Sequence, residues 1–255
     1  MNHLIIWKEL YLFLGINQRT IAKHQHPLIQ LIVGVDGPFL WKDEHGNWVE
    51  KNALLVAPNQ AHECDAKGQK VAIVSIDPAS LLGEFVVRQY LNAGPMVDFS
   101  FRDGSFELVT FTALIQDKNW NEVHQRLQDL FNFDVNSSTL RKKEERIQNV
   151  LDYIHTNIDH KISTKILMEV SHLSESRLLH LFKQIMGLPI RNYILWRRIQ
   201  IAFHQILNGN SLTESAYLAG FSDQAHLTRT FVKTIGLPPS AILKNSKFVQ
   251  VFFPA

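Results

Sequence analysis

Cysteine is almost absent from this sequence. Cys64 is the only one among 255 residues, which excludes an intrachain disulfide and a cysteine-rich zinc site. Long apolar runs are also missing. The apolar start "MNHLIIWKELYLFLGIN" is interrupted by Lys8 and Glu9, and no segment reaches the ~18 apolar residues of a membrane span. We therefore expect a cytoplasmic protein with no signal peptide and no membrane association.

The net charge is small, but it is unevenly distributed along the chain. Residues 1–140 contain 11 Lys and Arg against 16 Asp and Glu, a net charge of −5. Residues 141–255 contain 15 against 8, a net charge of +7. A basic half suits a polyanion, which the acidic half would repel. Nucleic acid is thus the expected partner of the C-terminal half.

Residues 1–90 are rich in short β-type runs. "LIQLIVGVDGPFLWKD", "NALLVAP" and "KVAIVSIDP" are separated by turn signals such as "HGN" and "PN". This spacing predicts antiparallel strands in a sandwich or small barrel. Helical spacing follows from Leu82 onward. We place the domains at 1–135 and 142–247, with a linker at 136–141 and a tail at 248–255.

The amphipathic helix predicted at 120–131 leaves two alternatives open. Its apolar stripe could pack on the sheet of its own domain, or it could form the contact of a homodimer. The residues of this stripe are Val123, Leu127, Leu130 and Phe131.

Two similar segments occupy the C-terminal half. "STKILMEVSHLSESRLLHLFKQIMGLP" begins at Ser163 and "SLTESAYLAGFSDQAHLTRTFVKTIGLPP" begins at Ser211. Each pattern predicts a helix, a tight turn and a second helix, with Ser174 and Ser222 capping the second helices. One long helix, roughly 189–207, joins them. Two helix-turn-helix units on a rigid helix predict DNA binding, because the second helix of such a unit enters a major groove.

With these two units, the chain resembles the AraC/XylS family of bacterial transcription regulators. The resemblance rests on "YI" at 153–154, on residues 173–202, and above all on "AYLAGFSDQAHLTRTFVKTIGLPPSAI" at 216–242. It implies an α+β protein of two domains: a cupin-like β-barrel with trailing helices, and an all-α domain with two helix-turn-helix motifs. It further implies a regulator and not an enzyme. Its implied partners are double-stranded promoter DNA, a small-molecule effector and RNA polymerase.

The resemblance also implies which residues face DNA bases. Chemistry favours the same residues in the second motif, because Gln can pair with adenine and Arg with guanine through two hydrogen bonds each. The implied base contacts are Gln224, Ala225, His226, Thr228 and Arg229 in the second motif and Ser176, Leu179 and His180 in the first.

The first motif departs from the family pattern. His180 stands where the family usually has Arg, and Leu179 stands where it has a polar residue. Met168 replaces a small residue, and His172 replaces the turn glycine. We expect the first unit to recognise fewer bases, or different ones.

Basic residues around the motifs are candidates for phosphate contacts, which make DNA affinity depend on salt. The candidates are Lys183, Arg191, Arg197 and Lys233. The family pattern implies that Arg198 is instead bound internally on the linking helix.

Histidines mark the N-terminal half. "HQHPLIQ" (24–30) and "VAPNQAH" (56–62) look like the two metal-binding strips of a cupin barrel, but Gln30 replaces the acid and Asn59 lacks the usual glycine beside it. We therefore expect no cofactor. The histidines are expected instead to anchor an effector against apolar walls. The predicted pocket residues are His24, His26, His62, Phe13, Leu31, Trp41 and Val56.

Two enzymatic alternatives were weighed. Imidazole is a suitable ligand for Fe, Mn, Ni or Zn, so a metal at His24, His26 and His62 in a cupin enzyme with an accessory DNA-binding module stays the alternative. A cysteine-based alkyl-transfer protein has only Cys64 available and no accompanying zinc-type cysteines.

Overall fold

The computed structural model describes residues 2–7, 9–16, 18, 20–101, 108–134, 144–236, 238–239 and 249–252. The chain divides into two compact units. Residues 1–23, 28–139 and 246–255 form the first, with almost all strand residues and the first three helices, and residues 24–27 and 140–245 form the second, with the remaining helices. The predicted two-domain α+β fold class is confirmed. The predicted linker, residues 136–141, lies outside the described residues.

The first unit is built on two β-sheets. One is a seven-stranded sheet in the order β10-β7-β4-β9-β2-β1-β11, and the other is a four-stranded sheet in the order β3-β8-β5-β6. The strands are β1 (Asn2–Ile6), β2 (Leu10–Ile16), β3 (Ile21–His24), β4 (Ile29–Gly34), β5 (Phe39–Lys42), β6 (Trp48–Lys51), β7 (Ala53–Val56), β8 (His62–Asp65), β9 (Lys70–Ile76), β10 (Met96–Asp98) and β11 (Val249–Phe252).

The larger sheet separates two apolar cores. Successive side chains of a strand point to opposite faces, so each strand contributes to both. On β4, Ile32 packs with Trp41 of the smaller sheet, whereas Leu31 packs in the core that the helices share. The central strand β9 pairs antiparallel with β2 on one side and β4 on the other, with Val74 opposite both Leu12 and Leu31.

Three helices cover the outer face of the larger sheet. They are α1 (Leu81–Tyr90), α2 (Leu108–Gln116) and α3 (Trp120–Asp129). Val123, Leu127 and Phe131 are completely buried in the core of their own unit. Of the two alternatives for this stripe, packing on its own sheet is the observed one. The buried stripe is not available for a contact with a second copy, and a homodimer through helix 120–131 stays a prediction.

The predicted tail is corrected by β11. Residues 249–252 form a strand that pairs in parallel with β1, from Asn2 opposite Val249 to Ile5 opposite Phe252. The ring of Phe252 contacts that of Trp120, with centroids 4.6 Å apart, and packs against the core. After the helical unit, the chain thus returns to the sheet in which it started.

The second unit contains the two predicted helix-turn-helix pairs. Its helices are α4 (Glu145–Thr156), α5 (Thr164–Ser171), α6 (Glu175–Met186), α7 (Ile190–Leu207), α8 (Leu212–Leu218) and α9 (Gln224–Ile235). The second helix of each pair packs on α7 through aromatic rings: Phe182 on Tyr193 at 5.6 Å, and Phe231 on Phe203 at 6.0 Å. Across the described part of the chain, no helix combines the length and apolar character needed to cross a membrane.

The turns of the two pairs use different residues for the same backbone conformation. Gly220 has φ +76° in the turn between α8 and α9, and a Cβ there would lie 2.7 Å from the carbonyl oxygen of Ile158. The equivalent turn after α5 holds His172, whose φ of 54° and ψ of 36° are left-handed. A side chain in this conformation costs about 1 kcal/mol or more. His172 therefore keeps the left-handed turn that a glycine forms in the family pattern, but its backbone conformation is strained.

Arg198 ties the long helix α7 to the connection between α4 and α5. Its Nε donates to the carbonyl of Ile158 at 3.1 Å and its Nη2 donates to the carbonyl of His160 at 2.7 Å. Burial lowers the pKa of this guanidinium, and nearby Asp159 opposes the shift. The predicted internal position of Arg198 is confirmed.

We expect Phe252→Ala to lower the free energy of unfolding of the first unit by about 1–3 kcal/mol, because a half-buried ring leaves the core. The exposed Gln250 lies in the same strand, so Gln250→Ala is the matched control. Calorimetry of the full chain measures both variants. Equal unfolding temperatures for the two would show that β11 contributes little to the sheet.

We expect His172→Gly to raise the stability of the second unit by about 1 kcal/mol, because glycine adopts the left-handed conformation without steric cost. Gly220→Ala should act oppositely and lower it by at least about 2 kcal/mol, since backbone strain and the contact with Ile158 add together.

Gly209→Ala is the matched control for the contact. Gly209 has φ +92° but no atom within 4 Å of the position of an added Cβ. It should therefore report backbone strain alone in urea unfolding. A loss of stability as large as that of Gly220→Ala would remove the steric explanation.

Candidate nucleic-acid interface

The exposed side of α6 carries the predicted DNA-facing residues of the first motif. Ser176, Leu179, His180 and Lys183 are all exposed. The opposite side of the helix is buried, at Leu178, Leu181, Phe182 and Met186. The structure therefore places these candidates together on one surface, and their contact with bases stays a prediction.

The exposed side of α9 carries the corresponding residues of the second motif. Gln224, Ala225 and Arg229 are exposed, whereas His226 and Thr228 are half-buried. Leu227 and Phe231 are buried on the other side. The predicted helix thus has the expected orientation, with its polar residues directed away from the core.

The caps of the two recognition helices differ from the prediction. Ser174 precedes α6 but its side chain forms no cap hydrogen bond. Asp223, not Ser222, caps α9, because its Oδ1 accepts a hydrogen bond from the backbone N–H of His226 at 2.6 Å. Ser222 donates its hydroxyl to the other carboxylate oxygen at 2.9 Å. Aspartate is as good an N-cap residue as serine, so the sequence "FSDQ" is compatible with the observed cap at Asp223 as well as with the predicted cap at Ser222.

The hydrogen bonds at this cap alter the chemistry of Asp223. The backbone N–H of His226, followed by the hydroxyl of Ser222, holds the pKa of the Asp223 carboxyl below its usual value. The carboxylate is therefore charged at neutral pH and complements the positive end of the helix dipole. The start of α9 is fixed before any DNA is bound.

Local contacts also orient two of the candidate base-reading side chains. The hydroxyl of Thr213 donates to Oε1 of Gln224 at 3.1 Å. The Nδ1 of His226 lies 3.2 Å from the hydroxyl of Ser222, and its ring meets the edge of Phe221 with centroids 5.2 Å apart. These contacts restrict the rotamers of Gln224 and His226, which lowers the entropy lost on binding.

The four candidate phosphate-binding residues are not equivalent. Lys183, Arg191 and Lys233 are exposed. Arg197 is half-buried, and its Nη1 donates to Oε1 of Gln200 at 2.8 Å. The first three can reach toward a ligand without losing an internal hydrogen bond of this kind.

A groove of about 720 Å³ lies within the second unit and is lined by residues of both helix-turn-helix pairs. Sequence reasoning missed its apolar surface. Leu179, Tyr217 and Leu218 line it and have exposed fractions of 42%, 80% and 42%. Lys161 and Arg191 line it too. The sequence of an amphipathic helix does not tell which of its apolar residues stay exposed. That depends on how the neighbouring helices pack against it.

The first unit brings together most of the predicted pocket residues. Phe13, Trp41 and Val56 belong to the core between the two sheets, and the ring of His62 stacks on that of Trp41 with centroids 5.5 Å apart. Leu31 is placed elsewhere, in the core under the helices. The difference follows from strand alternation, because Leu31 and its neighbour Ile32 point to opposite faces.

The three predicted histidines are all buried, but they do not belong to one unit. His24 and His26 belong to the second compact unit, and His62 belongs to the first. The Nδ1 of His62 is 2.8 Å from the carbonyl oxygen of Gln60. Because a carbonyl only accepts, this contact places the proton of a neutral His62 on Nδ1 and the lone pair on Nε2.

Cys64 lies two residues after His62 in β8. Burial, with help from Asp65 and Glu63, raises the pKa of its thiol to about 12. The thiol is therefore protonated at neutral pH, whereas a nucleophilic cysteine reacts as the thiolate. This state does not favour the alkyl-transfer alternative.

Sequence comparisons identify the second unit. Residues 167–245 match the family model of a helix-turn-helix domain. The chain is 25% identical over 239 residues to the probable transcriptional regulator LumQ of Photobacterium leiognathi, covering 87% of this chain and 91% of LumQ. It is 31% identical over 88 residues to the uncharacterized HTH-type regulator YobQ of Bacillus subtilis, covering 34% and 36% of the two chains.

Solved structures show the same fold for the whole chain. An apo variant of ToxT from Vibrio cholerae superposes with a TM-score of 0.61 at 12% identity, covering 93% of this chain and 97% of ToxT. Wild-type ToxT bound to an unsaturated fatty acid superposes with a TM-score of 0.53 at 12% identity, covering 92% and 95%. With two helix-turn-helix pairs joined by one helix and a matching domain model, the second unit is an AraC-type helix-turn-helix DNA-binding domain, and over most of its length the chain is similar to a probable transcriptional regulator.

Proposed function

We propose that this regulator recognises its promoter sites mainly through α9, with a smaller contribution from α6. We further propose that a small apolar carboxylate, bound by the first unit, tunes DNA binding in the cytoplasm. The observation that supports the first proposal is the exposed face of α9. It presents Gln224 and Arg229, where α6 presents Ser176, Leu179 and His180.

The α9 side chains match the hydrogen-bonding groups of the major groove. Arg229 can donate twice to O6 and N7 of a guanine, and Gln224 can pair with N6 and N7 of an adenine. The hydroxyl of Thr213 occupies one lone pair of Gln224 Oε1. The second lone pair and the two N–H groups are what an adenine needs. Each bidentate pair discriminates against the wrong base by about 1–3 kcal/mol.

The α6 side chains support weaker discrimination. Leu179 is 42% exposed and has no hydrogen-bonding group, so its best contact in the groove is a thymine methyl. Ser176 can donate to one base or accept from another and therefore tolerates several. His180 forms single hydrogen bonds, where an arginine would form two. The first half-site should accordingly tolerate more sequence variation.

Basic side chains supply the part of affinity that is independent of sequence. Lys183, Arg191 and Lys233 can neutralise phosphates, and Arg197 can do so if it leaves Gln200. The logarithm of the binding constant falls with the logarithm of the salt concentration, and each neutralised phosphate makes this slope steeper by about 0.9. RNA polymerase is the further partner in this proposal, since a regulator bound at a promoter acts on the enzyme that transcribes it.

For the full chain, Arg229→Ala should cost about 1–3 kcal/mol at the preferred site and relax the preference at one base position. The preferred site is first obtained by selection from random duplexes. Binding of single-base variants of that site is then measured by fluorescence anisotropy at one salt concentration, and binding of the preferred site is measured at several.

Lys233→Ala is the matched control, because Lys233 is a second exposed cation on α9. It should weaken binding to every duplex about equally and reduce the salt slope. If Arg229→Ala also weakens all duplexes equally, Arg229 contacts a phosphate and the assignment to a base fails.

The effector proposal is supported by the first unit and by a structural likeness. Phe13, Trp41 and Val56 belong to the core between the sheets, and the ring of His62 stacks on that of Trp41. An apolar tail and a carboxylate suit such a combination of walls and polar groups. The likeness to fatty-acid-bound ToxT concerns the fold alone, and it guides the choice of the ligand class to test.

A cis-unsaturated long-chain fatty acid should change the dissociation constant of the full chain for its DNA site by at least about tenfold. A ligand shifts such an equilibrium only by its differential affinity for the two states, and tenfold corresponds to about 1.4 kcal/mol. The methyl ester of the same acid, which lacks the charge, should have a smaller effect. Unchanged DNA affinity, together with no fatty-acid complex in native mass spectrometry, would refute this part of the proposal.

A further inference from the structure

We propose that the groove between the two helix-turn-helix pairs binds a small organic anion with an apolar body, and that this ligand excludes DNA. The groove has a volume of about 720 Å³, and the residues that line it, from Asp159 to His226, all belong to the second unit. Ligand sites commonly measure about 300–1,000 Å³ and combine apolar walls with a few polar groups. The groove has this size and both kinds of surface.

Exposed apolar side chains are concentrated in the groove. Among the described residues of the second unit, the large apolar side chains that stay exposed are Leu179, Tyr217, Leu218 and Val232. The first three line the groove, and Tyr217, at 80%, is the most exposed of the four. Single exposed apolar residues are ordinary on a protein surface, whereas several around one concave surface indicate a ligand or a partner. An apolar body in the groove would remove these side chains from water.

The charged side chains of the groove favour an anion. The cationic ones are Lys161, Arg191 and Arg198, and the carboxylate beside them is that of Asp159. Positive side chains therefore outnumber the negative one. A concave surface with apolar walls concentrates the field of such charges and attracts a ligand of the opposite sign.

Arg198 is the cation that the fold holds most firmly. Its Nε and Nη2 donate to the carbonyl oxygens of Ile158 and His160, which fixes the plane of the guanidinium. These two bonds use two of the five N–H groups of an arginine, so the group can donate further bonds to an anion in the groove. Arg198 is half-buried, and partial burial strengthens its attraction to an opposite charge. A carboxylate or a sulfonate has acceptor oxygens that match a guanidinium.

The groove shares residues with the proposed DNA surface. Leu179 of α6 and His226 of α9 both line it, and both are candidate base contacts. A ligand between these side chains would occupy the space that base edges need, so ligand and DNA would compete. This competition rests on the proposed function, whereas binding of the ligand does not. DNA phosphates alone would leave the apolar wall at Leu218 uncovered, which favours a ligand that is itself partly apolar.

The test locates two probes on the full chain by NMR of labelled leucine methyl groups. The first probe, 8-anilinonaphthalene-1-sulfonate, has an apolar ring system and one negative charge. The second, N-phenyl-1-naphthylamine, is the same ring system without the sulfonate. The reporter is Leu195, which lines the groove, and its resonance is assigned with Leu195→Ile. We expect the sulfonate to shift this resonance to saturation, while the resonance of Leu151, in the core of the same unit, stays in place.

Variants separate the contribution of charge from that of apolar contact. Arg191→Gln should weaken binding of the sulfonate by about threefold or more, the scale of an exposed ion pair, and leave binding of the neutral probe unchanged. Leu218→Gln should weaken both probes by about threefold or more, because apolar contact area is lost. The matched controls are Arg177→Gln and Val232→Gln, since both residues are exposed and lie outside the groove lining. They should bind both probes like the unaltered chain.

Competition is measured by fluorescence anisotropy of a labelled duplex that carries the preferred site. The apparent dissociation constant for this duplex should rise in proportion to the sulfonate concentration once the Leu195 site is half saturated. A chain that prefers no duplex would refute the proposed function, and the Leu195 titration would still decide whether the groove binds the anion.

Three results would overturn the proposal. The first is a Leu195 resonance in the unaltered chain that neither probe shifts, and this result needs no variant to fold. The second is sulfonate binding that Arg191→Gln and Leu218→Gln leave unchanged, with Arg191→Gln weakening every duplex, which would assign the groove to DNA phosphates. The third is unchanged DNA affinity at a sulfonate concentration that saturates the Leu195 shift, which would remove the exclusion of DNA.

Discussion

The position of the two DNA-binding motifs depends on one guanidinium. Arg198 donates from α7 to the carbonyl oxygens of Ile158 and His160, where the connection from α4 to α5 passes α7. Gly220 lies against the same group, since an added Cβ would be 3.1 Å from its Cζ. The connection of the first motif, the joining helix and the turn of the second motif therefore meet at Arg198. The planar guanidinium donates to both carbonyl oxygens from fixed directions, which the single ammonium of a lysine would not reproduce.

The two motifs share a framework but have diverged at their surfaces. Both recognition helices pack on α7 through aromatic pairs, and both follow a turn in the left-handed conformation. Yet the first turn strains a histidine where the second uses glycine, and only α9 has a side-chain cap. The better-ordered helix is also the one with the richer hydrogen-bonding surface. In the proposed function, a weaker first motif is tolerable because α7 holds it at a fixed distance from the second.

Local patterns predicted the helices and strands well, because burial of an apolar stripe produces the same periodicity wherever it occurs. The long helix α7, the internal contact of Arg198 and the outward face of α9 all followed from spacing or from the family resemblance. Contacts between distant segments could not be predicted in this way. The position of Leu31 depended on which face of β4 meets the helices, and the burial of the α3 stripe depended on the sheet beneath it. The stacking of His62 on Trp41 required the pairing of β5 with β8, which no local sequence signal specifies.

The return of the chain in β11 has a consequence for how the protein is made. β11 pairs with β1, so the sheet of the first unit contains a strand that follows the whole DNA-binding unit in sequence. During synthesis, domains generally fold in the order in which they leave the ribosome. Here α4 to α9 can fold before the seven-stranded sheet is complete, and until then β1 is an uncovered edge able to pair with another chain. The first unit is thus completed only after the helix-turn-helix unit has been synthesised.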